Sequence, residues 1–236
     1  MATSLYISNE RLLAVTGRVA GRKIDIRSFA EVKLPMGSVI NGVITDEAAF
    51  GGAVKEMAEK MGKAFVNVRI VLNASRIYVK RAVLPKLSKN KLGELVANQF
   101  SDVDTDADDE LIFDSMPLED LGAGKGQAVL ACAAKRSLVA SYVDLFDGLN
   151  IKLAGMDTTY AALSKLVEMI DALKDDTFIV LGLDGSTLDA TLFVRGQFRF
   201  NNRTRLIAER GTAACIAEVS RMVSSIIQFN TSDLDR

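Results

Sequence analysis

The chain has 236 residues, 49% hydrophobic and 25% charged, with a formal net charge of −1; that composition is globular, long enough for one large or two modest cores, and excludes disorder. Histidine is absent, and the two cysteines, Cys132 and Cys215, lack Cys-x-x-Cys spacing, which removes Ser-His and Cys-His nucleophile pairs, imidazole acid-base chemistry, disulfides and nearly all zinc sites. No apolar run approaches the about 18 residues of a membrane span, and MATSLYISNER has neither a basic n-region nor an apolar h-region, so a cytoplasmic protein is expected.

In chain order, Leu5-Tyr6-Ile7 reads as a strand that enters a polar turn at Ser8 to Arg11, and Leu12 to Thr16 is the second strand. Gly17 to Lys23 turns the chain, and Ile24, Ile26, Phe29, Ala30 and Val32 make the third strand. Thr45 or Asp46 caps a helix with Ala49, Ala53, Val54, Met57, Ala58 and Met61 on one face, stopped at Gly62. Val66 to Leu72 is a buried strand. The rhythm then changes to a strand (Ile77 to Leu84), a helix capped by Ser88, strands at Leu111 to Ser115 and Ala128 to Ala134, a helix capped by Ser137, and a strand at Ile151 to Met156. That βαββαβ order predicts an inserted subdomain at 75–156. Thr158 caps the next helix, and Lys174-Asp175-Asp176 is the expected hinge.

From Thr177 to Phe200 the chain repeats its beginning: the apolar run Phe178 to Leu183, a turn at Asp184 to Thr187, the alternating strand Leu188 to Val194, a turn at Arg195-Gly196-Gln197 and a strand with Phe198 and Phe200. An amphipathic helix is expected from Leu206 to Phe229. Three strands and a helix occurring twice indicate a duplicated architecture.

Two motif lookalikes fail on their own chemistry. Asp102-x-Asp104-x-Asp106 begins like a calcium loop, but the sixth position is Ala107 and the twelfth Phe113, where a turn glycine and a bidentate glutamate are needed. Gly122 to Gly126 has the flavour of a phosphate loop, but the required first glycine falls on Glu119 and no Ser or Thr follows Lys125. No metal site and no catalytic residue are expected. Asp102 to Asp120 holds nine acids and no base, whereas Arg76 to Lys91 holds six bases and no acid. Such patches favour a polypeptide partner over a nucleic acid.

Phe29 to Pro35 (FAEVKLP), Ile40 to Asp46 (INGVITD), Val79 to Ser88 (VKRAVLPKLS), Val129 to Lys135 (VLACAAK), Tyr142 and Met156-Asp157, in this order and spacing, resemble the actin-like superfamily and, within it, the PilM family of type IV pilus assembly proteins. The resemblance implies an α/β, actin-like fold of ribonuclease H-like duplicated lobes, related to that of FtsA. The first lobe takes residues 1–74 and 157–175, the inserted βαββαβ subdomain 75–156, and a truncated second lobe 176–236. Such proteins hold ATP between the lobes on two strand-turn-strand loops, whose glycines admit phosphate oxygens while an Asp positions magnesium. Here the corresponding residues are Ser8 and Asn9 in the first turn and Gly182, Asp184, Gly185, Ser186 and Thr187 in the second. The first turn has no Asp or Gly and carries Glu10, while Gly182-Leu183-Asp184 reverses the family's Asp-x-Gly. A degenerate site without ATP or magnesium is therefore expected.

The resemblance also implies a non-catalytic adaptor at the cytoplasmic face of the inner membrane. It would grip the N-terminal cytoplasmic tail of a PilN-like membrane protein and relay to the pilus motor ATPases. The tail would lie in the groove between the first lobe and the inserted subdomain, with Tyr78, Lys80, Arg81, Leu84, Pro85 and Asn98 as the residues to test. Two alternatives stay open: an ATPase or sugar-kinase-like phosphotransferase using Asp184 and Asp189, and an FtsA-like polymerising protein.

Overall fold

The computed structural model describes residues 1–103, 109–122 and 124–234, so the calcium-loop lookalike at Asp104, Asp106 and Ala107 lies outside the described residues, as does Ala123. The chain divides into two units, residues 1–169 and 170–236.

In the first unit, strands β1 (Ala2–Ile7), β2 (Arg11–Ala20) and β3 (Lys23–Lys33) form an antiparallel meander. The β2–β3 hairpin runs longer than the sequence suggests, because Gly17 is not a turn residue. It sits at a bulge in the ladder, where a side chain's Cβ would lie 2.4 Å from the Asp25 carbonyl oxygen. A short hairpin of β4 (Val39–Ile40) and β5 (Val43–Ile44) leads into helix α1 (Glu47–Met61). Asp46 caps α1 as expected, its carboxylate accepting from the Ala49 N–H at 2.9 Å. Strand β6 (Val68–Leu72) adds parallel to β1.

Strand β7 (Ile77–Leu84), helix α2 (Lys89–Asn98), β8 (Leu111–Asp120) and β9 (Gln127–Lys135) make a second sheet of order β7-β9-β8. Its α2 face is closed by Val96 and Phe100 against Ala82, Leu84, Val129, Ala131 and Ala133. Helix α3 (Arg136–Gly148), strand β10 (Leu153–Thr158) and helix α4 (Thr159–Glu168) complete the unit.

The βαββαβ order is present, but its six elements do not share one sheet. β10 pairs parallel with β6, giving the large sheet the order β10-β6-β1-β2-β3. The apolar face of α3, Leu138, Tyr142 and Phe146, joins Phe50 and Met57 of α1 in the core of that sheet. Tyr142 meets Phe50 edge to face with ring centroids 5.8 Å apart, and its hydroxyl donates to the Gly42 carbonyl at 2.9 Å.

The second unit is a meander of β11 (Phe178–Asp184), β12 (Thr187–Val194) and β13 (Gln197–Arg205), followed by helix α5 (Ala213–Leu234). Cys215, Met222 and Ile226 of α5 pack on Leu188, Ala190 and Leu192 of β12. α5 begins at Ala213 and not at Leu206. Thr212 caps it, its hydroxyl accepting from the Cys215 N–H at 3.2 Å.

Candidate functional site

β9 is the central strand of the small sheet. Its Val129, Ala131 and Ala133 turn to α2, so Leu130, Cys132 and Ala134 face the other way. Ile112, Asp114 and Met116 of β8 pair with Ala134, Cys132 and Leu130 and share that face. Together they floor a cleft of about 420 Å³ whose far wall is Leu72 at the end of β6, Met156 to Thr158 at the end of β10, and Ala161 and Lys165 of α4. The whole cleft lies within the first unit.

The β8 side of the cleft has a diagnostic lining. Residues 112 to 117 touch it without interruption, although successive side chains of a strand alternate between faces. Unbroken lining means that the strand presents its edge, and among the described residues β8 pairs on one side only, with β9. Proline at position 117 of this edge, where the ladder to β9 shifts register, carries no N–H and sets one end of the open main chain.

Four charged side chains line the cleft: Arg69, Asp114, Asp157 and Lys165. Asp157 accepts from the Thr158 N–H at 2.9 Å and from Lys165 at 2.5 Å. Asp114 accepts from the Ser115 N–H at 2.8 Å. The Cys132 thiol is pushed up to about 12 by burial first, then by the Asp114 and Asp157 carboxylates, so it is a protonated, unreactive wall group at neutral pH. Among the described residues no group of three or more Cys, Asp or Glu is placed to hold a metal. The arrangement offers a mixed lining, apolar at Leu72, Ile112, Met116, Leu130 and Met156 and charged at Arg69, Asp114, Asp157 and Lys165, beside a strand edge.

None of the six residues singled out from the sequence lines this cleft. Tyr78 and Leu84 pack in the core under α2. Lys80 reaches the Asp102 carboxylate at 2.6 Å and the Gln99 carbonyl at 3.0 Å, 5.3 Å above the Phe100 ring. Arg81 shares the face of Leu130, its pairing partner, and meets Glu119 at 3.5 Å. Pro85 follows β7 and Asn98 ends α2, both exposed. The basic and acidic segments therefore pair with each other. Besides Lys80–Asp102 and Arg81–Glu119, Lys86 meets Asp120 at 2.5 Å, and the Asp102 and Asp120 carboxyls are held low chiefly by their lysine bonds.

The two turns expected at a nucleotide are closed on themselves. In the first unit, the Ser8 hydroxyl accepts from the Glu10 and Arg11 N–H groups at 3.1 and 3.0 Å, and the Ser8 N–H donates to the Arg11 carbonyl at 3.0 Å. Three of the amides an anion would need are thus engaged, with Asn9 at the half-buried tip. In the second unit, Asp184 and Thr187 close a two-residue turn with Gly185 at φ +55°. The Gly185 carbonyl accepts from the Arg210 guanidinium and the Ser186 carbonyl from the Leu206 N–H. Gly182 lies within β11, opposite Asp189.

The family description "Type IV pilus assembly protein PilM" matches residues 5–182. Among solved structures, the chain is similar to one in a PilM–PilN type IV pilus biogenesis complex, with a TM-score of 0.74 and 19% identity over 86% of this chain and 61% of that one. It thus spans 61% of that relative's length. A protein from Bacteroides thetaiotaomicron with an actin-like ATPase fold superposes with a TM-score of 0.53 and 11% identity, over 94% of this chain and 77% of that one. No curated protein matches the sequence significantly. With three quarters of its length matched and an actin-like architecture around the β8 cleft, the chain belongs to the type IV pilus assembly protein PilM family.

Proposed function

We propose that the chain acts in type IV pilus assembly as a non-catalytic adaptor that holds the cytoplasmic N-terminal tail of a PilN-like membrane protein. The tail adds as a strand to the open edge of β8, with side chains in the cleft against Leu130, Met116 and Met156. A peptide carbonyl replaces Asp114 at the Ser115 N–H. The observation that carries this reading is the unbroken lining of the cleft by residues 112 to 117. No helix among the described residues is long and apolar enough to cross a membrane. In this reading the adaptor sits in the cytoplasm, is held at the inner membrane by its partner, and relays to the motor ATPases.

The test is calorimetric titration with a synthetic PilN tail peptide. Met116→Arg, in the cleft, should abolish binding, and Lys80→Ala, on the opposite face of the small sheet, should leave it unchanged. The reverse pattern refutes the cleft and restores the residues first drawn from the sequence.

A second reading, an ATPase, is favoured by the actin-like fold. Against it stand the self-bonded first turn and the absence of an Asp there. ATP with magnesium at millimolar concentration should leave the melting temperature unmoved if the site is degenerate. A rise of several degrees supports the ATPase.

A further inference from the structure

Two bonds fix which way the main chain of β8 faces. The Arg136 N–H donates to the Glu110 carbonyl at 2.8 Å, so Glu110 turns its carbonyl to the β9 side, and the two-residue period of a strand puts Ile112, Asp114 and Met116 in the same phase. The Ser115 N–H is taken by the Asp114 carboxylate at 2.8 Å and not by β9. Ser115 and, two residues back, Phe113 therefore carry their N–H groups to the outer edge. Pro117 has the same phase and no N–H, so the outward donors bordering the cleft are those of Phe113 and Ser115. One of the two is already covered by a side chain of the strand itself.

Asp114 is the residue whose surroundings change when that cover is lifted. It lines the cleft with Ile112 and Met116, opposite Cys132 of β9, and the Cys132 thiol feels both the Asp114 carboxylate and that of Asp157 on the far wall. Among the described residues Asp114 makes no ion pair. The two cations of the cleft belong to its far wall: Lys165 holds Asp157 at 2.5 Å, and the Arg69 guanidinium lies over β10 at Gly155, where a Cβ would stand 2.8 Å from it. A carboxylate freed from Ser115 thus needs its counter-charge from whatever displaced it.

We propose that Asp114 selects the bound tail by charge. This rests on the cleft reading above and adds to it. As a main-chain carbonyl of the tail takes the Ser115 N–H, the freed carboxylate closes on a lysine or arginine of the tail, seated over Cys132 between Asp114 and Asp157. A tail without a cation at that point leaves a carboxylate unmatched beside Met116, Leu130 and Cys132, which costs affinity. In the unbound chain the same carboxylate covers an edge N–H that would otherwise accept any extended segment. One side chain both guards the edge and sets the charge of the segment that opens it.

The test is a charge cycle, read by calorimetric titration of the 236-residue chain with the synthetic PilN tail peptide, each lysine and arginine of which is exchanged in turn for glutamine and for glutamate. Asp114 is exposed, so its substitutions should leave circular dichroism unaltered. Asp114→Asn should weaken the native peptide about fivefold or more, and a peptide with the matching cation exchanged for glutamine should bind both chains alike. Asp114→Lys should prefer the glutamate peptide to the native one. In hydrogen exchange, Asp114→Ala should speed the Ser115 amide of the unbound chain, and the native peptide should slow Phe113 and Ser115 together. Binding that is lost with Met116→Arg but shows no coupling between Asp114 and any tail cation overturns the role of Asp114 and leaves the cleft reading standing, as does a Ser115 amide indifferent to Asp114→Ala. Binding indifferent to Met116→Arg, or no binding at all, overturns both.

Discussion

Cys132 offers a quantitative check on the cleft, because its thiol is pushed from 9.0 to about 12. Alkylation proceeds through the thiolate, so three units reduce its reactive fraction about a thousandfold at any pH below 9. Iodoacetamide labelling, followed by mass spectrometry of the peptide containing Cys132, should therefore be about 10³ times slower in the folded chain than in denaturant. The rate should climb tenfold per pH unit with no plateau before about pH 11. A tail peptide seated on β8 should slow it further. The sign for stability follows from the same shift. A folded-state value raised above the unfolded one gives a contribution that is whole below pH 9 and lost as pH rises towards 12. The loss is on the order of 4 kcal/mol, three units at about 1.4 kcal/mol each. A labelling plateau near pH 9, or folded and unfolded rates within tenfold of each other, would refute a half-buried, desolvated thiol on the cleft floor.

Tyr142→Phe removes the hydroxyl that donates to the buried Gly42 carbonyl, which should destabilise the first unit by about 1–3 kcal/mol and lower its melting temperature by roughly 2–12 °C. Gly17→Val places a Cβ 2.4 Å from the Asp25 carbonyl; the bulge must open, at about 1–3 kcal/mol in urea titration, with faster amide exchange in the β2–β3 hairpin. The Asp109 carboxyl is held low by the Ser137 hydroxyl and then by its N–H, at 2.7 and 3.1 Å. Its tie to the start of α3 should be intact above the ordinary carboxylate value and lost as pH falls through the depressed one. Ser137→Ala should move the Asp109 carbon shift titration upward, and an unmoved titration would show that the contact is not made in solution.

What was legible in the sequence was local. Of the expected helix caps, Asp46 (rather than Thr45) and Thr158 accept from the N–H three residues on, whereas Ser88 precedes α2 without a side-chain cap bond and Ser137 lies inside α3, which Lys135 precedes. Both meanders follow from alternation and turn chemistry. Illegible were the choices made between elements. The apolar face of α3 announces burial without naming the sheet it will cover, and Tyr142 and Phe146 went to the large one. The helix expected from Leu206 starts at Ala213, because Gly211 at φ +83° breaks the run and Thr212 re-caps it. The resemblance implies peptide residues Tyr78, Lys80, Arg81, Leu84, Pro85 and Asn98, on and around β7 and α2, and nothing in the structure tests them. The cleft lies on β8, whose quality as an edge appears only once the order β7-β9-β8 is known.

The charged segments show why a charge count read along the chain says little about the folded surface. A segment with six bases and another with nine acids look like fields aimed at a partner when each is read alone. Folded, they face each other across the small sheet: Lys80 on Asp102, Arg81 on Glu119, Lys86 on Asp120. Exposed pairs of this kind are worth little to stability individually, but they cancel the local field that would otherwise steer a charged ligand. In the proposed reading, recognition on this module rests on a feature no charge count reports, the strand β8, which among the described residues pairs on one side only and borders the cleft. Recognition through main-chain hydrogen bonds fits a short extended tail better than a folded surface, because each added residue brings its own donor and acceptor to an edge already fixed in place.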